Sequence, residues 1–385
     1  MFDVLVVGAG PIGQMAAMLL SNKGASVALV GPDAPVDGRT TAILQDGVQL
    51  LRDIGVWQAV CEQTAPLQTM RIVDGTKRLI RAPEAAFVAA ELGLEAFGYN
   101  IRNTDLNAAL RQAVADNGAV TRISQKIVAA NVEPSDAAGV TLEDGTVLCA
   151  ALLVAADGRR SLLRERAGIS ARDWSYPQTA LVMNLAHTRE HDFTSTEFHT
   201  EGGPFTLVPL PGRHSSLVWV EKPDYAEDLF HRSEHDLARV ISEKSHYILG
   251  DVTLTSKPMR YPLGGMIANR FGLGPVALIG ESAHAFPPIG AQGMNLGIRD
   301  IRALAGVLAD HPRLDSASET AAATEAYSRA RLVDVSLRTA AVDALNRSLL
   351  TGILPVHLGR GLGLFALNRV APLRKLVMKH GLGAH

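Results

Sequence analysis

The residues in this chain best suited to chemistry fall into three clusters. Near the start, Gly8-Ala9-Gly10-Pro11-Ile12-Gly13 fits the pattern G-x-G-x-x-G. In that pattern Gly8 permits a tight turn, Gly10 lets the backbone approach a pyrophosphate, and Gly13 lets a helix pack close to a strand. The second cluster, Asp157-Gly158-Arg159, follows an apolar run; by turn chemistry alone such an Asp-Gly pair is a turn. The third is GESAHAFPPIGAQGMNLGIRD, Gly280 to Asp300. It places a carboxylate, Glu281, and an imidazole, His284, ahead of Pro287-Pro288 and the glycines at 290 and 293, and then opens a helix. A glycine loop at a helix N-terminus presents free backbone N–H groups and the positive end of the helix dipole to an anion.

The elements around these clusters decide how each is read. Val4 to Val7 is an unbroken apolar run, as expected of a parallel strand buried on both faces. An apolar helix follows the glycine turn, and Ser26 to Val30 reads as a second strand, so the context is that of a dinucleotide site. The acid that takes the ribose hydroxyls is expected near Gly31. Asp33 and Asp37 are the candidates, the alternative being that this contact is missing. Arg39 offers a cation soon after the second strand, and Asn103-Thr104 stands at a helix start marked by Leu106, Ala109, Leu110 and Ala113. Asp144-Gly145 predicts a hairpin, and Pro211-Gly212 predicts another between the apolar runs Phe205 to Leu210 and Ser216 to Val220.

Bulk properties exclude several classes. With 385 residues, two domains or one domain with a large insertion are expected. A net charge of −2 gives nucleic-acid binding no support. Cys61 and Cys149 stand alone, without the spacing of a zinc site or a disulfide framework. His187 and His191 are four apart, but their surroundings read as strand or loop and no third ligand follows, so no metal is expected. His284 reads as a structural hydrogen-bonding residue, and Met259 and Met266 as packing. Asp3 replaces the basic start of a signal peptide, and no apolar run approaches the ~18 residues of a membrane span, so a cytoplasmic protein is expected. After Asp343 no acidic residue occurs, while Arg347, Arg360, Arg369, Arg374, Lys375 and Lys379 alternate with apolar residues. This is either a solvated basic face or a surface for anionic lipid or a partner complex.

Taken together, the glycine motif, "ADGRRS" and the Gly280 element resemble the class A FAD-dependent aromatic hydroxylases, which share the para-hydroxybenzoate hydroxylase fold. "DGRTTAIL", "GPFTLVPLPGRHSSLVW" and the C-terminal "LNR…APLRKLVMKHGLG" look most like the ubiquinone-biosynthesis hydroxylases within that class. The resemblance implies an α/β fold: a Rossmann-type FAD-binding domain (1–70, 98–175 and 262–320), an inserted, mostly antiparallel substrate sheet (71–97 and 176–261), and a C-terminal helical region (321–385). It implies that Gly8, Gly10, Gly13, Arg39, Arg102, Asn103, Asp157, Gly158, Glu281, Gly290, Gln292, Gly293, Met294 and Asn295 bind FAD, with Arg159 assisting Asp157. Pro287 and Pro288 would wall the flavin face. Glu281 stands where the family carries Asp.

The implied reaction is hydroxylation of a polyprenylated phenol in ubiquinone biosynthesis, through a flavin C4a-hydroperoxide, with NAD(P)H as donor and O2 as co-substrate. A membrane surface or a quinone-biosynthesis complex is the implied partner of the basic C-terminal region, at the inner face of the membrane. The rival readings are a hydroxylase of a soluble aromatic compound, a non-hydroxylating FAD oxidoreductase acting on prenyl lipids, and a non-catalytic FAD-binding member of a complex.

Overall fold

The computed structural model describes residues 1–76, 83–133, 138–287, 292–311 and 314–350, with Pro372, Arg374, Lys375 and Met378. Its centre is the strand Phe2–Ala9, whose Val4 to Val7 are almost entirely buried. Val27–Asp33 and Val147–Ala155 pair with it in parallel, one on each side. Val120–Ile123 and Val276–Leu278 extend the sheet outward, also in parallel. The sheet therefore grows in both directions from the first strand, where a doubly wound sheet opens a crevice at its strand C-termini. The helix Pro11–Asn22 packs close to this sheet, and Asp144-Gly145 closes a hairpin, Gly145 taking a φ of 84°.

Among the described residues a second sheet has nine strands and is antiparallel except where Thr194–His199 runs parallel to Thr69–Asp74. Alternation sorts its residues onto two faces. Leu181, Met183, Phe205, Leu207, Leu217 and Trp219 form a core with Leu229, Leu237 and Ile241 of the helices Pro223–Phe230 and Glu234–Lys244. The opposite face looks toward the first domain. A small antiparallel sheet of Thr40–Leu44, Ala65–Pro66 and Gly98–Arg102 forms the seam. There Thr40 Oγ1 donates to Ser216 Oγ at 2.8 Å, Asn100 Nδ2 to Pro209 O at 2.8 Å, and Asn184 Nδ2 to Gly38 O at 3.2 Å.

Three expected domain limits can be placed on the elements. Those at 175, 262 and 320 fall inside continuous elements: the strands Ala171–His187 and Met259–Ala268 and the helix Ala317–Leu350. Single strands carry the chain from one domain into the other, so composition does not change at the crossing. The long helix also belongs to the first domain at its start. Tyr327 and Val335 lie in that core, and the Tyr327 hydroxyl donates to Leu278 O at 2.7 Å. Among the described residues, no helix is long and apolar enough to cross a membrane. Arg374, from the basic region, is tied to Glu91 at 2.7 Å, and Met378 is buried with Leu44, Phe87 and Phe97.

Candidate active site

The three sequence clusters converge at the C-terminal ends of the central parallel strands. Gly8 has a φ of +112°, and a Cβ there would lie 2.2 Å from Ala156 O, beside the Asp157 amide. A Cβ at Gly13 would lie 1.8 Å from Gly8 O. These two glycines are required by the close packing of turn, strand and helix. Gly10, at the N-cap of the first helix, is different: a Cβ there would meet nothing within 4 Å. Gly158, with a φ of +80°, and Gly293 also meet nothing within 4 Å among the described residues.

Asp157 closes the floor. Its Oδ2 accepts from the amides of Leu162 and Leu163, whereas its buried Oδ1 has no partner among the described residues. Burial pushes this carboxyl above the usual carboxylate range, against the hydrogen bonds that lower it. Such an orphaned oxygen beside the glycine turn fits a donor from a bound group, as do the open spaces at Gly10, Gly158 and Gly293. The donor set of backbone N–H groups and a helix N-terminus suits a dinucleotide's phosphates and the polar edge of FAD. When bound there, FAD would activate oxygen for insertion into an aromatic ring.

Arg39 sits in a polar knot. Asp37 takes its guanidinium through both oxygens, and Asn103 Nδ2 donates to Asp37 Oδ2 at 2.6 Å. Thr41 Oγ1 in turn donates to Asn103 Oδ1 at 2.6 Å. Burial pushes Asp37 up, but the hydrogen bonds from Arg39 and Asn103 outweigh it and hold the carboxyl below its usual range. Arg39 also stacks over the Tyr261 ring of the second sheet, 5.2 Å from its centroid. Arg102 lies apart, exposed enough to pair with Asp105 at 4.0 Å. Of the two ribose candidates, Asp33 lies opposite Ala9 in register and pairs with Arg122 at 2.8 Å, whereas Asp37 is committed to the Arg39 knot.

The Gly280 element is anchored from below. Ser282 Oγ donates to Ala155 O at 2.6 Å, and Arg164 Nη1 donates to Ser282 O at 2.8 Å. Asp300, fully buried, accepts from the Gly280 amide at 2.9 Å, from His284 Nε2 at 2.7 Å and from Arg331 Nε at 2.7 Å. His284 is therefore an internal hydrogen-bonding residue. Glu281 is exposed and adds to the electrostatic field at Arg39, Pro287 is buried, and Gln292 opens the helix Gln292–Asp310. Met294 packs against the first core. Asn295 binds the seam strand, accepting from the Leu44 amide at 2.9 Å and donating to Ala42 O at 2.8 Å. Pro288 and Gly290 lie outside the described residues.

Arg159 faces away from the glycine turn: it pairs with Asp173 at 2.8 Å and donates to Gly265 O. Both rings of the His187/His191 pair spend nitrogens on Arg189 O, Ser215 Oγ and Leu210 O. Sequence reasoning passed over Arg164, Asp300 and Arg331. Only Asp300 had a visible signal, being the acid five residues after Asn295 on the same helix.

Comparison with known proteins supplies the context. A family model described as an FAD binding domain matches residues 1–335. The ubiquinone hydroxylase UbiL of Rhodospirillum rubrum is 34% identical, the match covering 99% of this chain and 89% of that protein. The 3-demethoxyubiquinol 3-hydroxylase of Escherichia coli is 29% identical, with 99% and 98% covered. Among solved structures, Pseudomonas aeruginosa PqsL in complex with 2-aminobenzoylacetate superimposes with a TM-score of 0.78 at 24% identity, over 94% of this chain and 99% of that one. The p-nitrophenol 4-monooxygenase PnpA of Pseudomonas putida has a TM-score of 0.77 at 18% identity, over 99% and 98%. At these identities the solved structures speak to the fold alone.

Proposed function

This chain belongs to the FAD-binding family of aromatic-ring hydroxylases, and from that premise we propose that it hydroxylates a polyprenylated phenol, a ubiquinone precursor. The observation that carries the reading is the near full-length similarity to ubiquinone hydroxylases, UbiL above all. FAD binding is assigned to Gly8, Gly10, Gly13, Arg39, Asn103, Asp157, Gly158, Glu281 and the residues at the start of the helix Gln292–Asp310. NAD(P)H is the proposed donor. The protein's own part is to hold the ring against the cofactor, exclude water and supply a fixed electrostatic environment.

The second sheet supports this division of labour. Its face toward the first domain carries Val182, Thr206, Val208, Val218 and Met259, mostly apolar and suited to an aromatic ring. In the same reading the basic C-terminal region brings the enzyme to anionic lipid or to a quinone-biosynthesis complex, where a prenylated substrate resides. Purified protein should be yellow and should consume oxygen when given a prenylphenol and NAD(P)H. Deleting the gene should make a quinone precursor lacking one ring hydroxyl accumulate, as read by mass spectrometry. An unchanged quinone profile, with turnover of a tail-free phenol only, would overturn the assignment.

A further inference from the structure

Alternate residues in the middle of the second sheet are partly exposed. Thr206, Val208 and Val218 are only partly covered, while Phe205, Leu207, Leu217 and Trp219 on the helix-covered face are at most 3% exposed. The partly open face toward the first domain is the proposed substrate cleft. One flank is closed where Asn184 and Ser216 meet Gly38 and Thr40. The other is closed where Met70, Ile72 and Phe87 pack with Leu44 and Phe97. Leu44 is itself held by Asn295, so the cleft abuts the glycine-loop helix.

Register places one polar group among these residues. Reading across the strands, one row runs Ile72, Glu197, Thr206, Val218, Val182, Met259, and the next holds Asp74, His199 and Pro204. Glu197 and His199 therefore share the cleft-facing side, and His199 Nε2 lies 2.9 Å from Glu197 Oε1. The other carboxylate oxygen accepts from Thr206 Oγ1 at 3.2 Å. His199 is 6% exposed, and no other hydrogen bond ties its ring among the described residues. With Nε2–H donated to a carboxylate, the neutral tautomer leaves the lone pair on Nδ1.

We propose that His199, oriented by Glu197 and Thr206, is the base that takes the proton of the substrate's ring hydroxyl. The inference rests on the reading of the substrate as a phenol. In the step, the substrate O–H bond breaks and an Nδ1–H bond forms. The electron pair stays on oxygen and conjugates into the ring, which raises its nucleophilicity at the ortho and para carbons. The imidazolium so formed stands against the Glu197 carboxylate, so its charge is compensated where it appears. The other candidates on this face are engaged elsewhere. Tyr261 is stacked by Arg39, and Asp74 Oδ1 accepts from the amide and hydroxyl of Thr76. Asp74 faces His199 from the neighbouring strand, Pro204 and Thr206 on the other side are uncharged, and Arg71 and Glu84 lie on the opposite face.

The test uses FAD-loaded enzyme, 2-prenylphenol as the probe, and H199Q, E197Q and T206V, each checked for flavin content. Product formation and oxygen uptake are followed across pH. H199Q should lower kcat roughly 100-fold or more at neutral pH with KM little changed. The lost rate should return as pH rises toward the ionisation of a free phenol, about 10. E197Q should show the same profile with a smaller loss. If H199Q fails to fold, E197Q and T206V carry the test, each losing rate in the same pH-dependent way. Wild-type kcat and pH profile in flavin-replete E197Q and H199Q would overturn the proposal. So would D74N alone moving the profile, which would assign the ionisation to Asp74. Wild-type enzyme that neither binds the phenol nor takes up oxygen with it would instead overturn the substrate reading, and this inference with it.

Discussion

Gly10 and Gly13 belong to one motif but are glycine for different reasons. Gly13 is forced by the protein, because a methyl group there would run into Gly8 O. Gly10 has room around it among the described residues, so the protein's own packing does not require its missing side chain, and the proposed reason is the approach of FAD. Gly13→Ala should therefore destabilise the fold by about 1–3 kcal/mol, as overpacked sites do. Gly10→Ala should stay within about 1 kcal/mol of wild type, the scale of an N-cap change. It should nevertheless weaken FAD at least about tenfold, about 1.4 kcal/mol. Urea unfolding of the apoproteins and flavin titration read the two effects separately. Unchanged flavin affinity in Gly10→Ala would show that the pyrophosphate does not pass this residue.

At the scale of elements, the Gly280 loop is held by a buried ionic group rather than by its own glycines. Asp300 on the helix Gln292–Asp310 joins the Gly280 amide and His284 in the loop to Arg331 in the helix Ala317–Leu350. His284 lies between Phe271 and Phe286, and Arg331 is 4% exposed, so neither is relieved by water if Asp300 is lost. Arg331 keeps its second ion pair, with Asp334, so Asp300→Ala should cost about 1–3 kcal/mol, the penalty for leaving the buried Gly280 amide and His284 ring without their acceptor. Asp300→Ala combined with Arg331→Met should cost less than the sum of the single changes. A double-mutant cycle measured by urea unfolding checks this, and strict additivity would dissolve the group into independent contacts.

At the scale of the whole molecule, the proposed substrate cleft lies where two sheets with different rules meet along a narrow polar seam. Asn100, 1% exposed, reaches from the small sheet to Pro209 O, and Thr40 and Asn184 make the flanking bonds. Buried acceptors deprived of a donor cost about 1–3 kcal/mol. Asn100→Ala should lower stability by that amount and raise KM for the phenol, because the cleft wall loses its fixed position. Its FAD affinity should stay at the wild-type value, since the Asn100 side chain bonds Pro209 O and Ser216 Oγ, neither of them assigned to the cofactor. Loss of flavin in this variant would mean that the seam also shapes the cofactor site.

By itself the sequence determined the elements whose signals are local. The apolar run of Val4 to Val7, the glycine turn after it, the Asp144-Gly145 and Pro211-Gly212 turns and the helix starting at Asn103 all follow from neighbours a few residues apart. Burial periodicity and turn conformation are properties of short stretches, so they can be read without a fold. The tertiary structure alone decided which distant groups meet. Asp37 is tied to Arg39 and Asn103, Asp300 joins His284 to Arg331, and strands cross the expected domain limits. Glu197 and His199 look like ordinary strand residues until register and alternation set both on the cleft side of the sheet. Pairing across a sheet is fixed by register over long sequence separations, and no short stretch carries that information.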